Sequence, residues 1–160
     1  MELSTINKNV LDEENKGAEE TFQFIVIRLG EEQYGIDIRN IDTIVKMQQI
    51  TRIPKMPPFL KGVINMRGEV IPVISMRLKM GLEEDVLTKA TRIIVLKLEQ
   101  EGNVGFIVDE VKEVVTLSAN DIEKLTYNSK EEKTNLITAV GKHNGELISL
   151  FDLNAITLES

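Results

Sequence analysis

Short apolar runs recur along the chain from Thr21 onward, and polar or glycine-containing turns separate them. The segments 22–29 (FQFIVIRL) and 91–98 (TRIIVLKL) are about eight residues long and rich in β-branched or aromatic side chains. Runs of this length and composition favour strands, because helices are usually longer. Strands that follow one another every 8–12 residues or so are typical of small all-β barrels.

The second half of the chain repeats the pattern of the first half. Two blocks align without gaps, residues 34–45 with 104–115 and residues 59–76 with 136–153. The later block carries the same Gly-Glu pair, at 68–69 and at 145–146. Because the blocks occur in the same order in both halves, an internal duplication is favoured over chance similarity between strands.

We therefore predict an all-β fold of two packed barrels. Barrel 1 is expected over roughly residues 21–85 and barrel 2 over roughly 90–158, with exchange of strands or helices between them left open. Neither half buries much core alone, so the two should pack together as one domain, 21–160. Gly68 and Gly145 are predicted to occupy hairpin turns that need a positive φ angle.

The connecting segments carry three further signals. Residues 51–58 contain three of the four prolines, which predicts a stiff, extended crossing that cannot join a ladder fully. Ser118 and Asp121 have the spacing of a capping box and predict a short helix. The connector 77–90 is expected to contain a helical turn or two, and Asn128 to Asn135 to form a polar loop.

Charge is unevenly distributed over the 160 residues. The formal net charge is −7, and residues 1–20 contain six acidic residues against two lysines. We interpret residues 1–20 as a disordered acidic tail, with one weak apolar face if part of it is helical. That face consists of Leu3, Ile6, Val10 and Leu11.

Composition excludes several classes of protein. A pI near 4.9 argues against a nucleic-acid partner, which needs a basic surface. No apolar stretch approaches 18 residues, so direct membrane insertion is not expected and the chain is predicted to be cytoplasmic. The absence of cysteine removes thiol chemistry, disulfides and cysteine zinc sites.

Candidate catalytic residues are few. His143 is the single histidine, and its place beside a predicted turn favours a surface role over general-base catalysis. The acidic neighbours Asp109 and Glu110 lie outside any calcium-loop pattern, and neither phosphate-binding motif is present. We predict no catalytic residues, no metal site and no cofactor. A small β-barrel enzyme stays open as an alternative.

Two features point instead to partner binding. Arg67 precedes the hairpin glycine of the first copy, where the second copy has Asn144, so the first tip is a candidate partner contact; a solvated turn arginine is the alternative. Ile25, Ile38 and Ile41 belong to an apolar set too large for one thin barrel face. Either these side chains pack between the barrels or they form an exposed patch for a protein partner.

Three blocks carry a resemblance to the CheW family of chemotaxis coupling proteins. These blocks are FQFIVIRLGEEQYGIDIRNI (22–41), ITRIPKMPPFLKGVINMRGEVIPVI (50–74) and VGFIVDEVKEV (104–114). The resemblance runs from about Phe22 to Ile156. It implies two SH3-like five-stranded β-barrels with short helices in the connections.

The resemblance also implies a non-enzymatic adaptor in a two-component signalling system. Its implied partners are the cytoplasmic tip of methyl-accepting chemoreceptors and the regulatory domain of the histidine kinase CheA, assembled in membrane-associated receptor arrays. Ile25, Ile38, Ile41 and Arg67 fall on positions associated with receptor binding. The kinase is expected to contact mostly the second barrel. An adaptor of a related pathway that does not control swimming stays open as an alternative.

Overall fold

The computed structural model describes residues 20–125, 136–156 and 158. The strands are β1 (Thr21–Leu29), β2 (Glu32–Asp37), β3 (Ile41–Lys46), β4 (Leu60–Met66), β5 (Glu69–Ser75), β6 (Arg92–Leu98), β7 (Gly102–Val108), β8 (Glu110–Ser118), β9 (Ile122–Lys124), β10 (Ile137–His143) and β11 (Glu146–Phe151). The helical elements are α1 (Met76–Lys79) and three 3-10 turns, η1 (Ile38–Asn40), η2 (Ala119–Asp121) and η3 (Leu153–Ala155). Residues 1–19 of the predicted tail and the predicted loop Asn128–Asn135 lie outside the described residues.

The fold is all-β, as predicted, and consists of two packed sheets. Sheet A has the strand order β8-β1-β2-β11-β10-β9, and sheet B has the order β3-β6-β7-β5-β4. Each sheet contains strands from both halves of the chain, because β1 and β2 join the second half while β6 and β7 join the first. Sheet B has the expected five strands and sheet A has six. Closure of each sheet into a barrel, and the barrel boundaries, stay predictions.

The strand registers confirm the internal repeat. Gly35 pairs with Leu150 in the parallel contact of β2 with β11, and Gly105 pairs with Val73 in that of β7 with β5. These are equivalent residues of the two copies. The antiparallel pairs β1–β8 and β3–β6 also match, and the register shifts at corresponding points in each.

Three apolar clusters form the core. The central cluster lies between the sheets and takes Ile27 from β1 and Leu96 from β6. A second cluster lies inside sheet A around Val26, and a third lies inside sheet B around Val95. Strands β1 and β6 therefore bury both of their faces, which explains why they are apolar runs without polar alternation.

The copies differ where the first one carries its prolines. In sheet A, Glu123 of β9 pairs with Val140; in sheet B, Thr51 makes an isolated bridge to the equivalent Val63. Pro54 follows closely and has no N–H to extend the ladder. This accounts for the extra strand of sheet A.

The predicted connecting helices are present but short. The backbone N–H of Ser118 donates to Oδ2 of Asp121 over 3.0 Å, and the capping pair encloses the single turn η2. The connector contains one helical turn, α1, and Oγ of Ser75 accepts a hydrogen bond from the N–H of Leu78 in it over 3.1 Å. No helix among the described residues is long and apolar enough to cross a membrane.

Candidate interaction surface

Arg67 lies at the tip of the hairpin between β4 and β5, in a conformation that arginine rarely adopts. Met66 pairs with Glu69, so the loop contains two residues, Arg67 and Gly68. Their φ angles are 54° and 81°, and two consecutive positive φ angles define a type I′ turn. This turn matches the twist of the flanking strands but strains a residue that has a β-carbon. The positive φ predicted at Gly68 is confirmed.

The equivalent hairpin of the second copy shows which residues the turn prefers. Asn144 and Gly145 have φ angles of 51° and 81°, and asparagine tolerates this region better than arginine does. Arg67 is exposed and forms no ion pair with any residue that the structure describes. A strained residue that persists at such a position points to a role for its side chain.

A hydrogen bond from the neighbouring hairpin holds each turn in place. Nδ2 of Asn103 donates to Oε1 of Glu69 over 2.6 Å, beside Arg67. In the second copy, Nε2 of Gln33 donates to Oε2 of Glu146, also over 2.6 Å. The repeated Gly-Glu pair thus has a structural reason: glycine permits the turn, and glutamate accepts a charge-assisted hydrogen bond from the adjacent hairpin.

Ile25 and Ile41 lie at the margin of the central core. Both are half-buried and pack against that cluster. Ile25 on β1 stands opposite Val114 of β8, whose side chain is 54% exposed. Ile41, at the start of β3, stands opposite the buried Leu96. Each of these two side chains therefore packs partly against the central core and is partly exposed, and their role in partner binding stays a prediction.

Ile38 lies apart from the central cluster, in η1. Asp37 caps this turn, since its Oδ1 accepts a hydrogen bond from the backbone N–H of Arg39 over 2.9 Å. The hydrogen bonds from Arg39 hold the pKa of Asp37 below its usual value. Ile38 borders a cavity of about 300 Å³ together with Gln23, which shares a face of β1 with Ile25.

The topology brings three of the four predicted residues, Ile38, Ile41 and Arg67, toward one region. The turn η1 links β2 of sheet A to β3 of sheet B, so Ile38 and Ile41 lie where the chain passes between the sheets. Ile41 pairs near the end of β6 that leads into the β6–β7 hairpin. Asn103 of that hairpin binds the turn that contains Arg67. Arg67 and Ile41 therefore lie toward the same end of sheet B, and Ile38 lies in η1 just before Ile41, whereas Ile25 lies on β1 of sheet A.

Sequence reasoning missed a pair of exposed apolar side chains at matching positions of the two copies. Val70 is 61% exposed and Leu147 is 63% exposed, and each follows the glutamate of a Gly-Glu pair. Consecutive strand residues face opposite sides. In the doublets Val70-Ile71 and Leu147-Ile148, the isoleucine is buried, so the preceding residue faces solvent. Two consecutive apolar residues after the Gly-Glu pair are therefore the sequence signal for these exposed side chains.

A buried ion cluster joins the two sheets. Asp109 is 6% exposed and accepts hydrogen bonds from the N–H of Gly30 at 2.8 Å and from Nε and Nη2 of Arg77 at 2.9 and 2.5 Å. Arg28 of β1 adds a contact at 3.5 Å. Burial opposes the charge on Asp109, but the hydrogen bonds from Arg77 and Gly30 outweigh it and hold the pKa of the carboxyl below its usual value. The cluster ties the β1–β2 turn to α1.

The histidine and the acidic residues considered for chemistry make local structural contacts. Among the described residues, no group of three or more His, Cys, Asp or Glu side chains is placed to hold a metal ion. His143 ends β10, and its Nε2 lies 3.3 Å from Nδ2 of Asn144. Asp109 and Glu110, the acidic neighbours considered for chemistry, both form ion pairs with Arg28.

Known proteins match the chain over most of its length. The CheW-like domain family matches residues 23–159. The chain belongs to the CheW family. Among curated CheW relatives, the chemotaxis protein CheW of Helicobacter pylori is 36% identical over 86% of this chain and 82% of its own length. Chemotaxis protein CheW of Klebsiella aerogenes is 34% identical over 96% of this chain and 89% of its own length.

A solved CheW structure agrees with the fold. The crystal structure of the scaffolding protein TtCheW from Thermoanaerobacter tengcongensis matches with a TM-score of 0.77 and 33% identity, over 84% of this chain and 90% of that one. The resemblance seen in the sequence is thus confirmed. As a CheW-family protein, the chain is a chemotaxis adaptor and not an enzyme.

Proposed function

We propose that this protein couples methyl-accepting chemoreceptors to the histidine kinase CheA by binding both at once. The observation that carries the receptor side of this proposal is the exposed Arg67 held in a strained turn. An adaptor of this kind performs no chemistry; it transmits the conformation of one partner to the other through two surfaces on a rigid body. The two sheets, their shared core and the Asp109 cluster supply that rigidity.

The receptor surface is proposed to combine Arg67 with Ile25, Ile38 and Ile41. The isoleucines are partly exposed, so a partner that covers them gains apolar burial, which supplies most of the affinity. Arg67 offers five N–H donors in a planar group, which suits it to orient a partner that carries carboxylates or carbonyls. Residues 1–20 hold −4 of the net charge of −7, which leaves −3 for residues 21–160, so a basic tip acts locally against a weakly acidic background.

The kinase surface is proposed to lie mostly on the second barrel, with Leu147 of β11 as its anchor. Leu147, on a strand of the second half, is the most exposed large apolar side chain in any described strand, so a partner that covers it gains apolar burial. The repeat supports this location, since two copies that pack together in one chain provide a surface suited to a homologous barrel. We further propose that the protein is cytoplasmic and is recruited to membrane-associated receptor arrays.

The test of the receptor side uses charge reversal at the turn. Arg67→Glu should weaken pull-down by a receptor cytoplasmic fragment at least tenfold and reduce receptor-dependent kinase autophosphorylation, with an unchanged thermal melt. Arg52→Glu is the matched control, since Arg52 is also exposed but lies at the other end of sheet B. If Arg67→Glu binds and stimulates like the wild type, or if both variants lose the same amount, the assignment is wrong.

A further inference from the structure

The tip of the hairpin between β10 and β11 carries an asparagine that is followed directly by a glycine. His143 pairs with Glu146, so Asn144 and Gly145 form the loop, and both are exposed. Asn144 is also the one asparagine of the sequence that precedes a glycine. The backbone nitrogen of the following residue can close a five-membered ring on a side-chain amide carbon, and such an intramolecular attack costs no translational freedom. The tip is therefore a candidate site for loss of the Asn144 amide.

The structure leaves the attacking nitrogen of this turn accessible. A β-carbon built on Gly145 would meet no atom of the other described residues within 4 Å, apart from its chain neighbours. None of the described residues accepts a hydrogen bond from the N–H of Gly145. Glycine adopts positive and negative φ angles with similar ease, so the backbone can bring this nitrogen toward the side chain of Asn144 at little cost.

An imidazole lies against the amide that would leave. Nε2 of His143 is 3.3 Å from Nδ2 of Asn144, and His143 is half-buried at the end of β10 whereas Asn144 is exposed. The hydrogen bonds from Ser118, and after them the charge of His143, hold the pKa of Asp121 below its usual value, so η2 lies beside the ring. The ring is therefore positioned by its surroundings, and its nitrogen is within reach of the leaving group.

We propose that the Asn144-Gly145 turn is a self-modification site, at which His143 assists the loss of the asparagine amide. The nitrogen of Gly145 bonds to Cγ of Asn144, and the Cγ–Nδ2 bond breaks to release ammonia. The imidazole takes the proton that Gly145 loses, through one water molecule, and gives it to Nδ2 as that nitrogen leaves. Water then opens the cyclic imide to aspartate or isoaspartate, with no change of oxidation state. Each molecule reacts once, so this is a modification and not enzymatic turnover.

The modification changes both the charge and the geometry of the hairpin. A carboxylate replaces a neutral amide close to Glu146. Isoaspartate also directs the main chain through its β-carbon, which adds an atom to a two-residue loop that fits its strands only in the type I′ geometry. We expect the modified hairpin to be less stable, and the change lies beside the exposed side chain of Leu147.

The first copy of the repeat supplies a comparison within the same molecule. Its turn has φ angles of 54° and 81°, against 51° and 81° in the second copy, and a side-chain amide of the neighbouring hairpin binds the glutamate that follows each turn. Met66, which is also half-buried, occupies the position equivalent to His143. Arg67→Asn therefore gives the first turn the asparagine-glycine pair without an imidazole beside it.

The test follows both turns in one sample. The full-length Arg67→Asn protein is incubated at neutral pH, and peptide mapping by mass spectrometry measures the conversion of amide to acid at positions 67 and 144. We expect position 144 to convert faster by about tenfold or more, which is a modest share of what general acid–base catalysis supplies. Thermal melts of the unreacted protein establish that the fold is intact.

Two exchanges move the imidazole. His143→Gln should lower the rate at position 144 to that of the first turn, and Met66→His, added to Arg67→Asn, should raise the rate at position 67. Lys142→Gln is the matched control, because consecutive strand residues face opposite sides and its rate at position 144 should equal that of the wild type.

Equal rates at the two turns of Arg67→Asn overturn the role of His143, and so does an unchanged or higher rate in His143→Gln. The modification site itself is overturned if Asn144 converts no faster than Asn103 or Asn154, neither of which precedes a glycine. Ion exchange separates the converted protein by its added charge, and a Tm equal to that of unconverted protein contradicts the expected loss of stability. No receptor or kinase is present, so the result is independent of the coupling function proposed above.

Discussion

Replacing Arg67 with asparagine should stabilise the protein while weakening its coupling function. The substitution gives the first turn the residue that the second copy has at Asn144, where φ is nearly the same, 51° against 54°. Arg67 is exposed and has no ion pair among the described residues. Truncation therefore removes strain without removing a stabilising contact.

The expected gain follows from the backbone conformation. A left-handed conformation costs an ordinary L-residue roughly 1–2 kcal/mol, and asparagine recovers part of this through local hydrogen bonding. We expect an increase of about 0.5–1 kcal/mol in the free energy of unfolding. For a domain of this size, this corresponds to a rise of about 2–3 °C in the Tm. The reverse exchange, Asn144→Arg, should lower the free energy of unfolding by a similar amount.

Urea denaturation followed by circular dichroism measures the change, and the slope of unfolding should stay constant because the buried area is unchanged. Receptor pull-down on the same samples measures coupling. If the midpoint of Arg67→Asn is unchanged or lower, the positive φ angle of Arg67 does not strain the turn. If coupling is retained while stability rises, the strain has no functional reason and the receptor assignment of Arg67 loses its main support.

Three further predictions concern the ion cluster, the bridge and the core margin. Asp109→Asn should lower the free energy of unfolding by about 3 kcal/mol at pH 7 in urea denaturation, since it leaves two arginines without their carboxylate. The pKa of Asp109 is lowered in the folded protein. Its contribution to the free energy of unfolding is therefore complete above the usual carboxyl pKa of about 4 and is lost as the pH falls through the folded pKa. A difference in unfolding free energy between wild type and Asp109→Asn that stays constant from pH 7 to pH 2 would contradict this. Gly62→Ala should destabilise by about 2 kcal/mol or more, because a β-carbon there lies 2.1 Å from the carbonyl oxygen of Thr51; a thermal melt within 1 °C or so of wild type refutes it. Ile41→Asp should weaken receptor binding with the fold intact, whereas its counterpart Val111→Asp should not; loss of folding in the first would make Ile41 a core residue.

Much of the architecture is encoded locally and was accessible from the sequence. Strand periodicity, the duplicated blocks and the Gly-Glu turns depend on residues close together in the chain, and each was found in the structure. A glycine at position 68 predicts a positive φ angle there, because few other residues adopt such an angle readily. The absence of cysteine and the single histidine favoured a protein that binds partners over an enzyme, and membership of the CheW family supports this.

Tertiary structure decided which strands pair and which side chains stay exposed. The repeat alone does not reveal that β1 and β2 cross to the other half, because either pairing satisfies the same local pattern. The cluster of Arg28, Arg77 and Asp109 joins residues up to 81 positions apart, so no spacing in the sequence indicates it. Ile25 and Ile41 are half-buried only because the two sheets meet beside them. Whether a side chain is buried depends on which other elements pack against it, and the sequence of one strand does not specify those neighbours.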